Sequence, residues 1–280
     1  MSFYKFTKEK KSIQDTFNLA GKVVIVTGAS MGMGKGAALR LAEAGASVAV
    51  FDVLIEEAKA TVSEIVKEGG KAIAMQVDIS KLADIDEGIK KTVETFGRLD
   101  FVVNAAGIYP KGPAFEQTEE NFDKMFAINV KGSFFLARAA AMEMVNEGHG
   151  GKIIFFTSTA VYMPVSGVAG PKTTFDASKG AVTTMTRSLA SEWARYGIYV
   201  NCVLPGPYLK NEVKLKRPDI YFNAQKHTLL KRTGQPEDMA DVILFLVSSA
   251  SDYIDGEEIN VDGGYLLCEN IEELPEELRT

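Results

Sequence analysis

The chain has few of the residues that assemble metal centres or covalent cross-links, with two cysteines and two histidines in 280 residues. Cys202 and Cys268 lie far apart without metal-type or redox-type spacing, which argues against a zinc site and points to reduced thiols rather than a disulfide. His149 and His227 are single in sequence and are assigned to surface loops, so no metal ligand set is expected. Long apolar runs are also missing. None approaches the roughly 20 residues that cross a bilayer, and Met1–Asn18 lacks the apolar core of a signal peptide. Positive charge is in deficit, with 31 Lys and Arg against 37 Asp and Glu. That excludes a phosphate-backbone partner, which needs a basic face. A cytoplasmic protein with no membrane and no nucleic-acid partner is expected.

What is present is an alternation. Runs at Val23–Val26, Ser47–Phe51, Ala72–Val77, Phe101–Asn104, Lys152–Phe156 and Ile198–Val203 are apolar on both faces, as strands covered by helices on either side must be. Between them Gly34–Ala44, Glu56–Glu68 and Ile85–Phe96 space apolar residues three and four apart. A last strand is expected around Glu257–Val261. The alternation predicts one α/β domain over residues 20–268, a doubly wound parallel sheet of Rossmann type. An N-terminal extension, residues 1–19, carries Phe3, Phe6, Ile13 and Phe17. It is expected either to be a mobile terminus or to dock on a neighbouring surface. Residues 269–280 form an acidic tail.

The first strand runs directly into Thr27-Gly28-Ala29-Ser30-Met31-Gly32-Met33-Gly34, after which a helix begins. Gly28 allows a sharp turn, Gly32 a close approach of backbone to a pyrophosphate, and Gly34 close packing of helix on strand. The helix start offers amide donors and the positive dipole end to phosphates, and Ser30 can add a hydroxyl. The second strand ends at Asp52, 18 residues beyond Gly34. A carboxylate there accepts hydrogen bonds from both adenosine ribose hydroxyls and repels a 2′-phosphate, so NAD is the expected cofactor rather than NADP.

From Leu19 to Leu266 these residues resemble the short-chain dehydrogenase/reductase family. Thr27–Gly34 is similar to its TGxxxGxG turn. Asp78-Ile79 resembles the pair beside the adenine ring, Asn104-Ala105-Ala106-Gly107 its NAAG segment, Pro205-Gly206 its turn against the nicotinamide, and Val261-Asp262-Gly263-Gly264 its closing strand and turn. The resemblance adds Met31, Met33, Val53 and Tyr208 to the expected cofactor contacts. It gives Ser158 as the catalytic serine and Asn129 as the holder of a water in a proton relay. Phe175-Asp176-Ala177-Ser178-Lys179 resembles the YxASK segment, with Phe175 where the family has its catalytic tyrosine. The resemblance implies interconversion of a secondary alcohol and a ketone, with Lys179 holding the nicotinamide ribose.

Position 175 decides the chemistry. A phenol, ordinarily near pKa 10, needs a positive neighbour to bring it to a working pH. Lys179, four residues on along a helix, is that neighbour. Phenylalanine keeps the ring and removes the ionisable atom, so this chain is expected to bind cofactor and turn over slowly or not at all. Three accounts are compatible: a tyrosine exchanged for phenylalanine to trap a complex, a natural NAD-binding sensor or scaffold without activity, or another hydroxyl standing in, with Tyr162 the obvious one. The first is preferred because Asn129, Ser158 and Lys179 are all retained.

By the same resemblance the substrate pocket takes Ile108, Tyr109, Pro110 and Phe115, then Val161, Tyr162, Met163, Pro164 and Val165, then Tyr208 and Leu209, with residues 207–232 as a lid. Lys210 departs from a common cofactor-contacting Thr, and His227 on the lid is a minor candidate for substrate contact. The apolar, aromatic lining suggests a bulky hydrophobic substrate, hydroxysteroid-like or a cyclic terpenoid. Gly132–Val145 is too apolar all round for a solvent-facing helix and Thr174–Tyr196 is small and apolar on one side; the family resemblance, whose members often form tetramers through these two helices, implies a homotetramer.

Overall fold

Alternate residues of each strand point to opposite faces of a sheet, and this sorts the apolar side chains into two cores. Ile25, Ala49, Phe51, Val102, Ile153, Phe155, Val200 and Cys202 face one layer. Val24, Val26, Val48, Val50, Phe101, Val103, Ile154 and Val203 face the other. The computed structural model describes residues 11–110, 112–163, 172–208, 216 and 224–268. Its seven strands are β1 (Val23–Thr27), β2 (Ser47–Asp52), β3 (Lys71–Gln76), β4 (Phe101–Asn104), β5 (Gly151–Phe156), β6 (Ile198–Pro205) and β7 (Glu258–Val261). They form one sheet in the order β3-β2-β1-β4-β5-β6-β7, every pair parallel. The central strands are buried throughout, whereas the edge strands β3 and β7 keep exposed residues.

Among the described residues, eight α-helices follow in chain order: α1 (Ile13–Phe17), α2 (Gly32–Glu43), α3 (Ile55–Lys67), α4 (Leu82–Phe96), α5 (Glu119–Phe126), α6 (Ser133–Glu147), α7 (Thr173–Trp193) and α8 (Pro236–Val247). Helices α4, α6 and α7 cover the first core, and α2, α3 and α8 the second. This is the single α/β domain expected from the alternation. Helices α5 and α8 were not anticipated. No helix among the described residues is long and apolar enough to cross a membrane, and no group of His, Cys, Asp and Glu among them could hold a metal ion.

The chain order reverses at the β1–β4 boundary, since β1 continues to β2 and β3 on one side and β4 to β7 on the other. The loops after β1 and β4 therefore diverge and leave a crevice at the carboxyl ends of the strands, the usual ligand site of such sheets. Of the N-terminal extension, Ser12 caps α1, Ser249 Oγ donates to the Thr16 carbonyl at 3.2 Å, and Leu19 is buried in the second core. This stretch rests on its own chain. Phe3 and Phe6 lie outside the described residues, as does the tail from 269 onward.

Candidate active site

A cleft of about 1450 Å³ opens at that crevice. Its cofactor-facing end is built by the turn after β1. Gly28 has φ +63°, and a Cβ there would stand 2.9 Å from the backbone of Ala106. Gly34 would bring a Cβ to 2.3 Å from the Gly28 carbonyl oxygen, so only glycine lets α2 start this close to β1. Met31, the N-cap of α2, makes no side-chain cap hydrogen bond. The first-turn amides thus face the cleft without a capping side chain, the arrangement that receives phosphate. Tyr208 closes the turn from the other side, its Oη 3.6 Å from where a Gly32 Cβ would lie.

Asp52 ends β2 and is buried at the cleft wall. Its Oδ2 accepts from the Ser30 amide at 3.0 Å and its Oδ1 from the Leu54 amide at 3.1 Å. The two bonds fix the carboxylate and leave a further lone pair on each oxygen. Asp78 and Ile79 line the same region. Burial works to raise the Asp78 pKa, but the Ser80 hydroxyl and amide and the charge of Lys81 outweigh it and hold the carboxyl below its ordinary value. Glycine cradle, uncapped helix start and rim carboxylate together fit a dinucleotide. Ser30, Met31, Gly32, Met33, Val53, Ala105, Ala106, Gly107, Pro205 and Gly206 also line this part of the cleft.

Behind the floor runs a buried polar chain. Thr27 Oγ1 donates to Asn104 Oδ1 at 2.6 Å and accepts from the Ala106 amide at 3.0 Å. Asn104 Nδ2 donates to Ser133 Oγ, which donates to the Asn129 carbonyl, each at 2.7 Å. Asn129 sits in a π-helical turn, Ala127–Gly132, between α5 and α6. Its Oδ1 accepts from the Ile108 amide at 2.9 Å, and its Nδ2 donates to the Ile108 carbonyl and to Ser178 Oγ, both at 3.1 Å. Asn104 and Asn129 are therefore supports of the cleft and not part of its lining.

At the reacting end, Ser158 caps the turn Thr159–Val161 by accepting from the Ala160 amide at 3.2 Å and lines the cleft beside Phe175 and Lys179. Lys179 donates to the Phe156 carbonyl at 2.7 Å, and its Nζ stands 5.7 Å from the centre of the Phe175 ring. Burial lowers its pKa from 10.5 to about 8. The Tyr109 ring meets Phe175 edge-on with centroids 4.6 Å apart. Burial, then the nearby Asp176 and Tyr265, raises the Tyr109 pKa.

Several pocket expectations change. Tyr162 does not reach the cleft. The turn capped by Ser158 sends it outward, where it is 55% exposed and its Oη donates to Glu258 Oε2 at 2.6 Å. Phe115 is fully exposed, and Pro110 and Val161 are not lining residues either. Tyr109, Ile108, Met163 and Tyr208 do line the cleft. Pro164, Val165, Leu209 and Lys210 lie outside the described residues, together with most of the expected lid. His227 faces the cleft rather than a surface loop alone, and Lys172, Ala224, Tyr265 and Cys268 join it without having been expected. Tyr265 is brought in by the turn after β7, where Asp262 accepts from the Gly264 and Leu266 amides at 2.9 Å each.

A family model described as enoyl-(acyl carrier protein) reductase matches residues 28–266. A 2-dehydro-3-deoxy-D-gluconate 5-dehydrogenase from Dickeya dadantii is 38% identical over 258 residues, spanning 91% of this chain and 99% of that protein. A short-chain type dehydrogenase/reductase from Mycobacterium marinum superposes with TM-score 0.85 at 34% identity, over 91% of this chain and 99% of that one. The chain belongs to the short-chain dehydrogenase/reductase family. It is therefore an oxidoreductase fold that uses a nicotinamide cofactor. A gluconate 5-dehydrogenase from Burkholderia cenocepacia, solved with NADP and tartrate, also matches, with TM-score 0.84, 29% identity, and 91% of this chain and 99% of that chain covered. The expectation of a hydroxysteroid-like substrate finds no support in these relatives, two of which are named for sugar acids.

Proposed function

We propose that this short-chain dehydrogenase/reductase binds NAD and a small polyhydroxy acid, and that its site is set up to interconvert a secondary alcohol and a ketone on that acid. The Asp52 carboxylate is the observation that carries the cofactor choice. It lies in the same cleft as Ser158 and Lys179, is fixed by two backbone amides, and keeps lone pairs for ribose hydroxyls. A 2′-phosphate would meet this negative charge instead. The sugar-acid names of the Dickeya and Burkholderia relatives support the substrate class.

When bound, the nicotinamide supplies or accepts the hydride. Ser158 can hydrogen-bond the substrate oxygen, and Lys179 supplies a buried positive charge beside it. Phe175 holds the ring position one helical turn before Lys179 but has no proton to give or take. The chain as it stands thus binds both ligands and catalyses slowly, as a Tyr-to-Phe variant of an otherwise complete site would. Phe175 equally favours a second reading, an NAD-binding sensor of the same fold. We also infer a homotetramer formed through α6 and α7.

Calorimetry tests the cofactor assignment. NAD should bind the chain at least tenfold tighter than NADP. Asp52→Asn should weaken NAD by about 10–100-fold, the range for hydrogen bonds to a charged group, and narrow the gap to NADP. A folded chain that binds neither NAD nor NADH would sink the reading.

A further inference from the structure

The threonine hydroxyls that line the cleft are engaged within the protein. Thr27 Oγ1 donates to Asn104 Oδ1 at 2.6 Å, and Thr157 and Thr159 donate to the Val203 and Pro205 carbonyls at 3.2 Å each. The Tyr265 hydroxyl is different. Its side chain is half-buried in the cleft wall, yet among the described residues the hydroxyl has no hydrogen-bond partner. Tyr208 shares that property but lies against the glycine turn at the cofactor end.

The surroundings of Tyr265 put it at the substrate end. Its turn follows β7, which pairs with β6 as far as Val261 and Pro205, and a Cβ on Gly206 would stand 2.5 Å from the Asp262 Cα. The turn therefore abuts the Pro205-Gly206 bend. On its other side Tyr265 is near enough to Tyr109 to raise that residue's pKa, and the Tyr109 ring meets Phe175. One wall of the cleft thus runs from Phe175 through Tyr109 to Tyr265. The turn itself is clamped. Asp262 accepts from the Gly264 and Leu266 amides, and the Leu230 amide donates to the Gly263 carbonyl at 3.1 Å. Gly264, at φ +78°, lets Leu229 pack so close that a Cβ would meet its side chain at 2.7 Å.

Burial, with the Cys268 thiol adding to it, raises the Tyr265 pKa, so the phenol keeps its proton and can donate it. A ligand that covers this group with apolar surface strips water from the hydroxyl and puts nothing in its place. A ligand that brings a hydroxyl replaces that water. We propose that Tyr265 selects the substrate by a hydroxyl group, hydrogen-bonding one carried on the carbon chain beyond the reacting carbon. This rests on the polyhydroxy-acid reading above and assigns a residue that enforces it.

The test uses the full chain loaded with NAD and titrated with gluconate or with hexanoate, which keeps the carboxylate and the carbon count but carries no hydroxyl. Gluconate should bind about tenfold tighter than hexanoate or better. Tyr265→Phe keeps the ring and removes the oxygen. It should weaken gluconate by about fivefold, the worth of one hydrogen bond between neutral groups. Hexanoate should bind this variant as well as the parent or better, and NAD affinity should not change. Unchanged gluconate affinity in Tyr265→Phe, or an equal loss for gluconate and hexanoate, would overturn the assignment while leaving the substrate class intact. A parent chain that holds NAD and binds gluconate no better than hexanoate would remove the polyhydroxy-acid reading and the assignment with it. Failure to bind NAD at all would count against the cofactor reading, a separate outcome of the same titration.

Discussion

Introducing a hydroxyl at position 175 is the most direct test of whether Phe175 limits turnover in this chain. Phe175 lines the cleft with its ring edge-on to Tyr109, so Phe175→Tyr adds one oxygen at an open surface and should change stability by less than about 1 kcal/mol. The chemical effect is larger. A unit charge about 6 Å away at an effective dielectric near 20 favours phenolate over phenol by about 3 kcal/mol. The 5.7 Å from Lys179 Nζ to the ring centre sets that distance scale. Three kcal/mol is about 2 pKa units, which moves a phenol from about 10 to about 8. Lys179 itself lies at about 8, so the two groups would titrate as a coupled pair.

A general acid or base in that range contributes about 10²–10⁴-fold. The assay is NADH formation from NAD and a polyhydroxy acid, followed by absorbance across pH 6–10, for both forms. The Phe175→Tyr enzyme should gain about 100-fold or more in kcat at little change in KM, with a pH step near 8 larger than any that Lys179 alone gives the parent chain. A folded Phe175→Tyr protein that binds NAD as before and shows neither the gain nor the step would refute the reasoning, and the sensor reading would replace it.

Two further outcomes follow from the geometry. Burial works to raise the Asp100 pKa, yet hydrogen bonds from Arg98, Lys22 and the Val23 amide hold it below its ordinary value. Its contribution to stability is therefore full above its unfolded pKa near 4 and disappears as pH falls through the lower folded value. Thermal melts of Asp100→Asn should lose part of the acid limb below about pH 4 that the parent shows, and identical profiles would remove the linkage. Met142 and Val145 remain exposed on α6. If that face joins subunits, light scattering should report a tetramer for the parent and smaller species for Met142→Glu, whereas a monomeric parent would end the interface proposal.

The sheet was legible because its signal is local. A strand buried on both faces must be apolar at consecutive positions, and β1, β2, β4, β5 and β6 satisfy that rule within a residue or two of the expected ends. The glycine turn was legible for the same reason, since backbone clash at Gly28 and Gly34 restricts the residue type. Helix α5 was missed because its sequence, EENFDKMF, buries only Met125 and so carries almost no apolar stripe. Helix α8 did carry a signal, Pro236 at its first position and Asp238 accepting from the Gln235 amide at 2.8 Å. The walls around Phe175 were harder. Lys172, His227 and Tyr265 approach from separate stretches of chain, and Tyr162 turns away because one serine oxygen caps the turn before it. Such placements depend on tertiary geometry, which residue spacing alone does not encode.

The residue type at 175 and the position of its ring are held by different interactions. The Phe175 carbonyl accepts from Ser178 Oγ at 2.7 Å, Ser178 Oγ accepts from Asn129, and Asn129 grips both the amide and the carbonyl of Ile108. From there the chain of bonds continues through Ser133 and Asn104 to Thr27, beside the glycine turn. None of these bonds uses the ring of residue 175. Buried, connected polar groups of this kind resist local adjustment because each lost partner leaves an unsatisfied atom. A phenol and a phenyl ring should therefore sit alike in this frame. A phenyl ring in place of a phenol is then expected to remove the proton transfer while leaving the cofactor turn and the Ile108–Tyr109 wall in place, so cofactor binding should persist where turnover falls.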